Sequence, residues 1–340
     1  MRTLTAAIVG CGAIHTCHLE ALQQIPGVVL RAIVDIDIEK GQRLAAEYGC
    51  RFYQDYQEML LDVAIDVVHI CTPHALHKPM ILAALAAGKQ VFCEKPVAMN
   101  SIEIEEIKAA EQQAEGQLGV CYQNRLNPTS LALKQLLDEN ALGRMLSIKA
   151  FLTWSRTPPY YLNSSWRGRF ASEGGSLLIN QAIHTLDLMQ WFGDGVTRVK
   201  GVVDCARLAD IIDTEDTAMA TLDFNNGARG LFFASNTHTL DAPLQLDIHC
   251  ELGELQLRDN TLWRVIGDKR VMIASDTTPY NHSKSYWGVG HFQAISQFYA
   301  ALSHREKPNF SGIDDAAKSL QLVEAIYRSS QLRQWVMLTD

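Results

Sequence analysis

The sequence has no basic excess. Its 340 residues carry 30 Lys and Arg against 38 Asp and Glu, a formal net charge of −8, so it lacks the cationic surface that tracks a phosphate backbone. No nucleic-acid partner is expected. Long apolar runs are also missing: stretches such as 79–88 fall far short of the roughly 18 residues that cross a bilayer. No membrane span is expected, and no basic region or small-residue cleavage site precedes the first apolar segment at 6–9, so no export signal is read there. The eight cysteines, at 11, 17, 50, 71, 93, 121, 205 and 250, show no C-x-x-C spacing. Scattered singly over apolar segments, they are expected to be buried free thiols of a reducing cytoplasm. With 47% apolar and 20% charged residues, long disorder and collagen-like structure are excluded.

What is present divides the chain in two, as its length leads one to expect at roughly 100 to 200 residues per domain. Over 1–122, apolar β-branched runs at 6–9, 28–34, 67–71, 91–93 and 118–121 alternate with helical stretches at 14–24, 39–48, 79–87 and 102–115. This is the pattern of repeated βαβ units, an α/β doubly wound parallel sheet whose strands are apolar on both faces. Over 123–340 the grammar changes. A helix at 128–138, a strand at 146–154, a polar loop and a helix at 177–192 lead into successive strands at 196–205, 217–224, 228–237, 244–251, 253–258, 261–265 and 270–273. Helices at 289–302 and 314–330 finish the chain. Asn225-Asn226-Gly227 is a hairpin signal, because Asn and Gly accept the positive φ of a type I′ turn. The second domain is therefore read as α+β with an open, mostly antiparallel sheet.

Gly10-Cys11-Gly12 follows the first strand and opens a helix, and Asp35 ends the second strand 23 residues after Gly12. The first glycine suits a tight turn, the second lets a pyrophosphate approach the backbone, and the carboxylate suits ribose hydroxyls. A dinucleotide site is expected, with Ala13 and Ile14 on its turn. Asp35 would repel a 2′-phosphate, which favours NAD over NADP. His15 occupies the position where a small residue usually lets helix and strand approach closely, and it is expected to weaken the cofactor site.

Cys71-Thr72-Pro73, with His77 beyond it, leaves the third of these strands, and Glu94-Lys95-Pro96 leaves the next. Both lie at carboxyl ends of parallel strands, where open α/β sheets bind ligands. Thr72, Pro73, His77, Glu94 and Lys95 are thus candidate cofactor contacts, and Lys95 stands where chemistry would occur. His74 and His77 lack a third partner, so no metal is expected. In the second half, Glu173-Gly174-Gly175 precedes a helix carrying Asn180, His184 and Asp187, whose spacings of four and three place them on one helix face. A histidine there suits general-base work near neutral pH. The preceding loop holds Arg156, Tyr160, Tyr161, Trp166 and Arg167. Aromatic faces suit sugar C–H surfaces, and arginines suit hydroxyls, carboxylates or phosphates.

Taken in order, Val9-Gly10-Cys11-Gly12-Ala13-Ile14, Cys71-Thr72-Pro73 with His77, Glu94-Lys95-Pro96, and Gly174-Gly175 with Asn180-Gln181 and His184-Thr185-Leu186-Asp187 resemble the Gfo/Idh/MocA oxidoreductase family over essentially the whole chain. The resemblance implies an N-terminal Rossmann domain, a C-terminal domain whose open sheet covers a subunit interface in a homodimer or homotetramer, and NAD-dependent hydride transfer at a sugar, glycoside or cyclitol carbinol. It implies that Lys95 touches substrate and nicotinamide ribose, that His184 is the acid/base, and that Arg125 lies near the substrate; Arg156, Tyr160 and Trp166 are expected substrate contacts from their side-chain chemistry. Position 180, often Asp in the family, is Asn here, so proton removal rests on His184 or Lys95 and Asn180 orients a hydroxyl. An NAD-dependent glycosidase working by transient ring oxidation is the alternative. A non-catalytic sugar-sensing regulator would have lost Lys95 or His184.

Overall fold

The structure, a computed structural model, describes residues 3–276, 288–304 and 310–338. The chain forms two compact units, one of Met1–Gln123 with His291–Ala317 and one of Asn124–Gly290 with Lys318–Asp340. The chain first passes from one unit to the other between Gln123 and Asn124. The described residues 291–304 and 310–317, which the sequence assigns to the second domain, pack within the first unit.

The first unit holds β1 (Leu4–Val9), β2 (Val28–Val34), β3 (Arg51–Tyr53), β4 (Val67–Ile70), β5 (Gln90–Cys93) and β6 (Leu118–Val120), in the order β3-β2-β1-β4-β5-β6. All pair in parallel. The order reverses between β1 and β4, the switch point at which doubly wound sheets take ligands. Ala6, Ile8, Val67, Ile70 and Val91 are fully buried because helices cover both faces. β3 and the short helix Tyr56–Leu60 are additions to the expected elements: three residues at a sheet edge are too few for a period-2 pattern to emerge. The return of the helix His291–His304 has a packing reason. Ile295 and Phe298 are fully buried, and Phe298 lies over Gly119 of β6, where a Cβ would stand 2.7 Å from its ring.

The second unit is built on β7 (Met145–Thr153), β8 (Val196–Asp204), β9 (Thr217–Phe224), β10 (Arg229–Ser235), β11 (Gln245–Cys250), β12 (Gly253–Arg258), β13 (Thr261–Ile266), β14 (Lys269–Ser275) and β15 (Val336–Met337). They form one sheet in the order β14-β13-β12-β11-β7-β10-β9-β8-β15. β7 and β10 pair in parallel, and the other neighbours are antiparallel. Asn225-Asn226-Gly227 makes the β9–β10 turn as a hairpin but not as type I′, because Gly227 has φ 84° while neither asparagine has positive φ. One face buries Ile148, Ala150, Leu222, Phe232 and Leu246. On the other, Phe151 pairs with Phe233, Phe233 with Met219, and Met219 with Val202, an apolar row across four strands in which Met219 is 47% and Val202 53% exposed.

Two expectations change here. The helix read at 177–192 is a π-helical turn, Leu177–Gln181, followed by an α-helix, Ile183–Gly193. The polar loop before it contains the short helices Pro158–Leu162 and Phe170–Glu173. All eight cysteines are free, but Cys50 and Cys205 are only half-buried. Among the described residues, no helix is long and apolar enough to cross a membrane.

Candidate active site

The turn after β1, at the point where the strand order reverses, starts at Gly10. Its φ of 90°, and the 2.9 Å at which a Cβ would meet the Cys71 carbonyl group, admit only glycine. Gly12 has more room, its nearest neighbour being the Cys71 oxygen at 4.0 Å. A strained first glycine and an open second one fit a pyrophosphate approaching the backbone. Asp35 follows β2 and is half-buried. Its Oδ2 accepts from the Cys11 N–H at 2.6 Å and its Oδ1 from the Asp37 N–H at 2.9 Å. The carboxylate is thus fixed over the glycine turn with lone pairs remaining for ribose hydroxyls. His15 begins the helix His15–Gln24, and its Nδ1 bonds back to the Gly12 carbonyl. Burial holds this imidazole below its usual pKa.

At the ends of β4 and β5, Thr72, Pro73, Glu94 and Lys95 follow the strands as expected. His77 is 1% exposed, and its Nδ1 and Nε2 lie 2.7 Å from the Pro96 carbonyl and 2.8 Å from the Thr72 carbonyl. Both nitrogens are committed to the backbone of the loops that follow β4 and β5, so His77 shapes those loops. Burial pushes its pKa down. Lys95 is half-buried.

Beside it, Glu94 enters a buried polar cluster that sequence reading missed. Its Oε1 lies 3.1 Å from His18 Nε2 and 3.9 Å from His291 Nε2. His18 Nδ1 lies 2.9 Å from His69 Nδ1, and His69 Nε2 lies 2.9 Å from the Tyr299 hydroxyl. Burial alone would raise the Glu94 carboxyl, but the His18 hydrogen bond, with His18, His291 and Lys95 close by, holds it far below the usual range. Burial presses His291 down to about 4 and the Cys121 thiol well up. The contributing segments lie far apart in sequence, so no spacing announces them.

In the second unit the expected helix face is broken up. The π-helical turn changes the angular step between residues, so Asn180 and His184 do not simply stack. Asn180 donates from Nδ2 to Glu173 Oε1 at 2.6 Å, and Glu173 Oε2 accepts the Gly168 N–H. Asp187, 1% exposed, accepts a bidentate pair from Arg125 at 2.7 and 2.8 Å and the Ser319 hydroxyl at 2.8 Å. Arg125, expected near substrate, is held in this buried ion pair. His184 is 9% exposed.

Glu173 is fully buried, and burial, reinforced by the nearby Glu215, pushes its carboxyl up to about 7 although Gly168 and Asn180 donate to it. Sequence reading treated it only as the residue before a glycine pair. Glu215 caps the π-helical turn, its Oε1 accepting the Ser176 and Leu178 N–H groups at 3.3 and 2.8 Å. The aromatic loop is organised around Tyr160: the Arg156 and Arg167 guanidinium carbons lie 5.2 and 4.5 Å from its ring centroid, close enough for cation–π attraction. Arg156, 8% exposed, also donates to Asp241 at 2.8 Å. The Arg167 guanidinium stands 4.9 Å from the Trp166 ring. Tyr161 is buried, its hydroxyl accepting from Asn236 at 3.1 Å.

Comparison with known proteins identifies the family. Residues 4–122 match the family described as "Oxidoreductase family, NAD-binding Rossmann fold", and residues 130–256 match the "GFO/IDH/MocA C-terminal domain". An uncharacterized oxidoreductase of Bacillus subtilis, YrbE, is 31% identical over 236 residues, covering 67% of this chain and 65% of that protein. Myo-inositol 2-dehydrogenase of Thermotoga maritima is 25% identical over 349 residues, covering 98% of each. Among solved structures, the WlbA dehydrogenase of Bordetella pertussis in complex with NADH and UDP-GlcNAcA is 27% identical, with a TM-score of 0.86 and 100% coverage of both chains. The chain therefore belongs to the GFO/IDH/MocA family of oxidoreductases and carries that family's NAD-binding Rossmann fold.

Proposed function

We propose that this protein is an NAD-dependent dehydrogenase of a polyhydroxylated ring, a sugar, glycoside or cyclitol, and that it uses NAD in preference to NADP. What carries the reading is one chain holding both halves of the chemistry: a glycine turn with Asp35 fixed over it, and Lys95 and His184 in the family's positions. NAD, when bound, supplies the hydride acceptor; the protein orients the ring and handles the proton. An imidazole, with an ordinary pKa of about 6.5, needs little tuning to take a hydroxyl proton, whereas an ammonium starts from about 10.4. His184 is therefore assigned as base, Lys95 as the cation that favours the developing alkoxide, and Asn180 as the group that orients a hydroxyl. Arg156, Tyr160 and Trp166 are assigned to the ring's faces and edges. The apolar row on the outer sheet face supports a homodimer or homotetramer formed through it.

The test follows reduced-nicotinamide absorbance while NAD is offered with inositols, hexoses, anhydrosugars, glycosides and nucleotide sugars. Turnover of at least one class is expected, with His184→Ala lowering kcat by about 10²-fold or more and leaving NAD affinity intact. Absence of NAD reduction across the panel, with NAD bound, would reject the dehydrogenase reading. Near-normal kcat in His184→Ala would transfer the base role to Lys95.

A further inference from the structure

The buried cluster behind Lys95 has a direction that follows from donor and acceptor bookkeeping. Tyr299 is 2% exposed, and among the described residues its hydroxyl has one hydrogen-bond partner, His69 Nε2. If His69 donated to it, the phenolic proton would be buried without an acceptor, so Tyr299 donates and His69 Nε2 accepts. His69 is fully buried, which holds its imidazole neutral, and a neutral ring carries one N–H. That proton is therefore on Nδ1, facing His18 Nδ1 at 2.9 Å. His18 Nδ1 must accept, so the proton of His18 is on Nε2, where it donates to Glu94 Oε1 at 3.1 Å. Every link is satisfied, and every donor points towards the carboxylate.

We propose that Tyr299, His69 and His18 are positioning residues, a one-way hydrogen-bond chain that keeps the Glu94 carboxylate ionised and oriented beside Lys95 and so sets the pH range over which Lys95 acts as a cation. The proposal rests on the role assigned to Lys95 above. The groups facing Glu94 account for the need. His18 and His291 approach from two helices, Cys121 from the end of β6, and Cys71, Cys93 and Lys95 from the neighbouring strand ends. Among them His18 lies within hydrogen-bond distance of Oε1, while His291 stands off at 3.9 Å. A carboxylate buried to this degree takes up a proton when its donor is lost. Loss of its charge then removes the anion that favours protonated Lys95.

The test begins with histidine tautomers read by long-range ¹H–¹⁵N NMR on the ligand-free protein. His18 is expected to carry its proton on Nε2 alone and His69 on Nδ1 alone. Tyr299→Phe, which deletes one oxygen, should abolish the pure Nδ1–H state of His69. In turnover it should move the alkaline limb of kcat/KM, where Lys95 loses its proton, down by about one pH unit. A wild-type His69 protonated on Nε2, or a doubly protonated His18, overturns the chain without any variant. Altered tautomers in Tyr299→Phe with superimposable pH profiles overturn its positioning role. Because the spectra need no substrate, a protein that shows these tautomers but reduces no NAD would refute the dehydrogenase reading separately.

Discussion

Replacing Glu173 by Gln should make the protein's stability less sensitive to pH, in a direction the structure dictates. The carboxyl is fully buried and titrates at about 7 instead of the ordinary 4.5. That interval is about two and a half pH units, and at about 1.4 kcal/mol per unit it corresponds to about 3 kcal/mol of penalty on the ionised form. Because the folded-state value lies above the unfolded one, the stabilisation is complete below about 4.5 and is lost as the pH rises through about 7. The glutamine side chain would carry no such charge. Its amide oxygen would accept the Gly168 N–H, and its NH₂ would require Asn180 to present Oδ1 instead of Nδ2. Near pH 5 the variant should match wild type or lose about 1 kcal/mol from altered hydrogen bonding. Near pH 8 it should be the more stable, the difference between the two having shifted by about 3 kcal/mol. Urea denaturation of both proteins across this range measures the shift. Parallel stability curves would refute the argument and place the Glu173 pKa near that of an exposed carboxyl.

Three further outcomes are expected. Asp35→Ser should narrow the ratio of NADP to NAD dissociation constants, since the anion opposing a 2′-phosphate is gone; a wild type that binds NADP as tightly as NAD contradicts the assignment. Asp187→Ala should cost about 3–5 kcal/mol in denaturant unfolding, because it leaves the Arg125 guanidinium, 14% exposed, without its buried bidentate partner; a loss under about 1 kcal/mol would show that Arg125 finds another acceptor. Met219→Glu places a charge in the apolar row of the outer sheet face and should lower the mass measured by light scattering, whereas a wild-type monomer at micromolar concentration would remove the interface.

Much of the cofactor half was legible because it is local in sequence. A parallel strand, a glycine turn and a carboxylate at the next strand end are separated by the fixed length of one βαβ unit, so Gly10, Gly12 and Asp35 announce one another. The alternation of apolar runs likewise determined the two domain types, and Asn225-Asn226-Gly227 determined its hairpin. Tertiary structure decided what depends on distant partners. It broke the helix before His184 with a π-helical turn, sent Asp187 to Arg125 and Asn180 to Glu173, and brought the helix His291–His304 back against Gly119. It also assembled Glu94, His18, His69 and Tyr299, which span residues 18 to 299, into one buried cluster. Periodicity reports which face of an element is apolar, but the partner of a buried polar group is selected by where the whole fold leaves a complementary donor or acceptor out of water's reach.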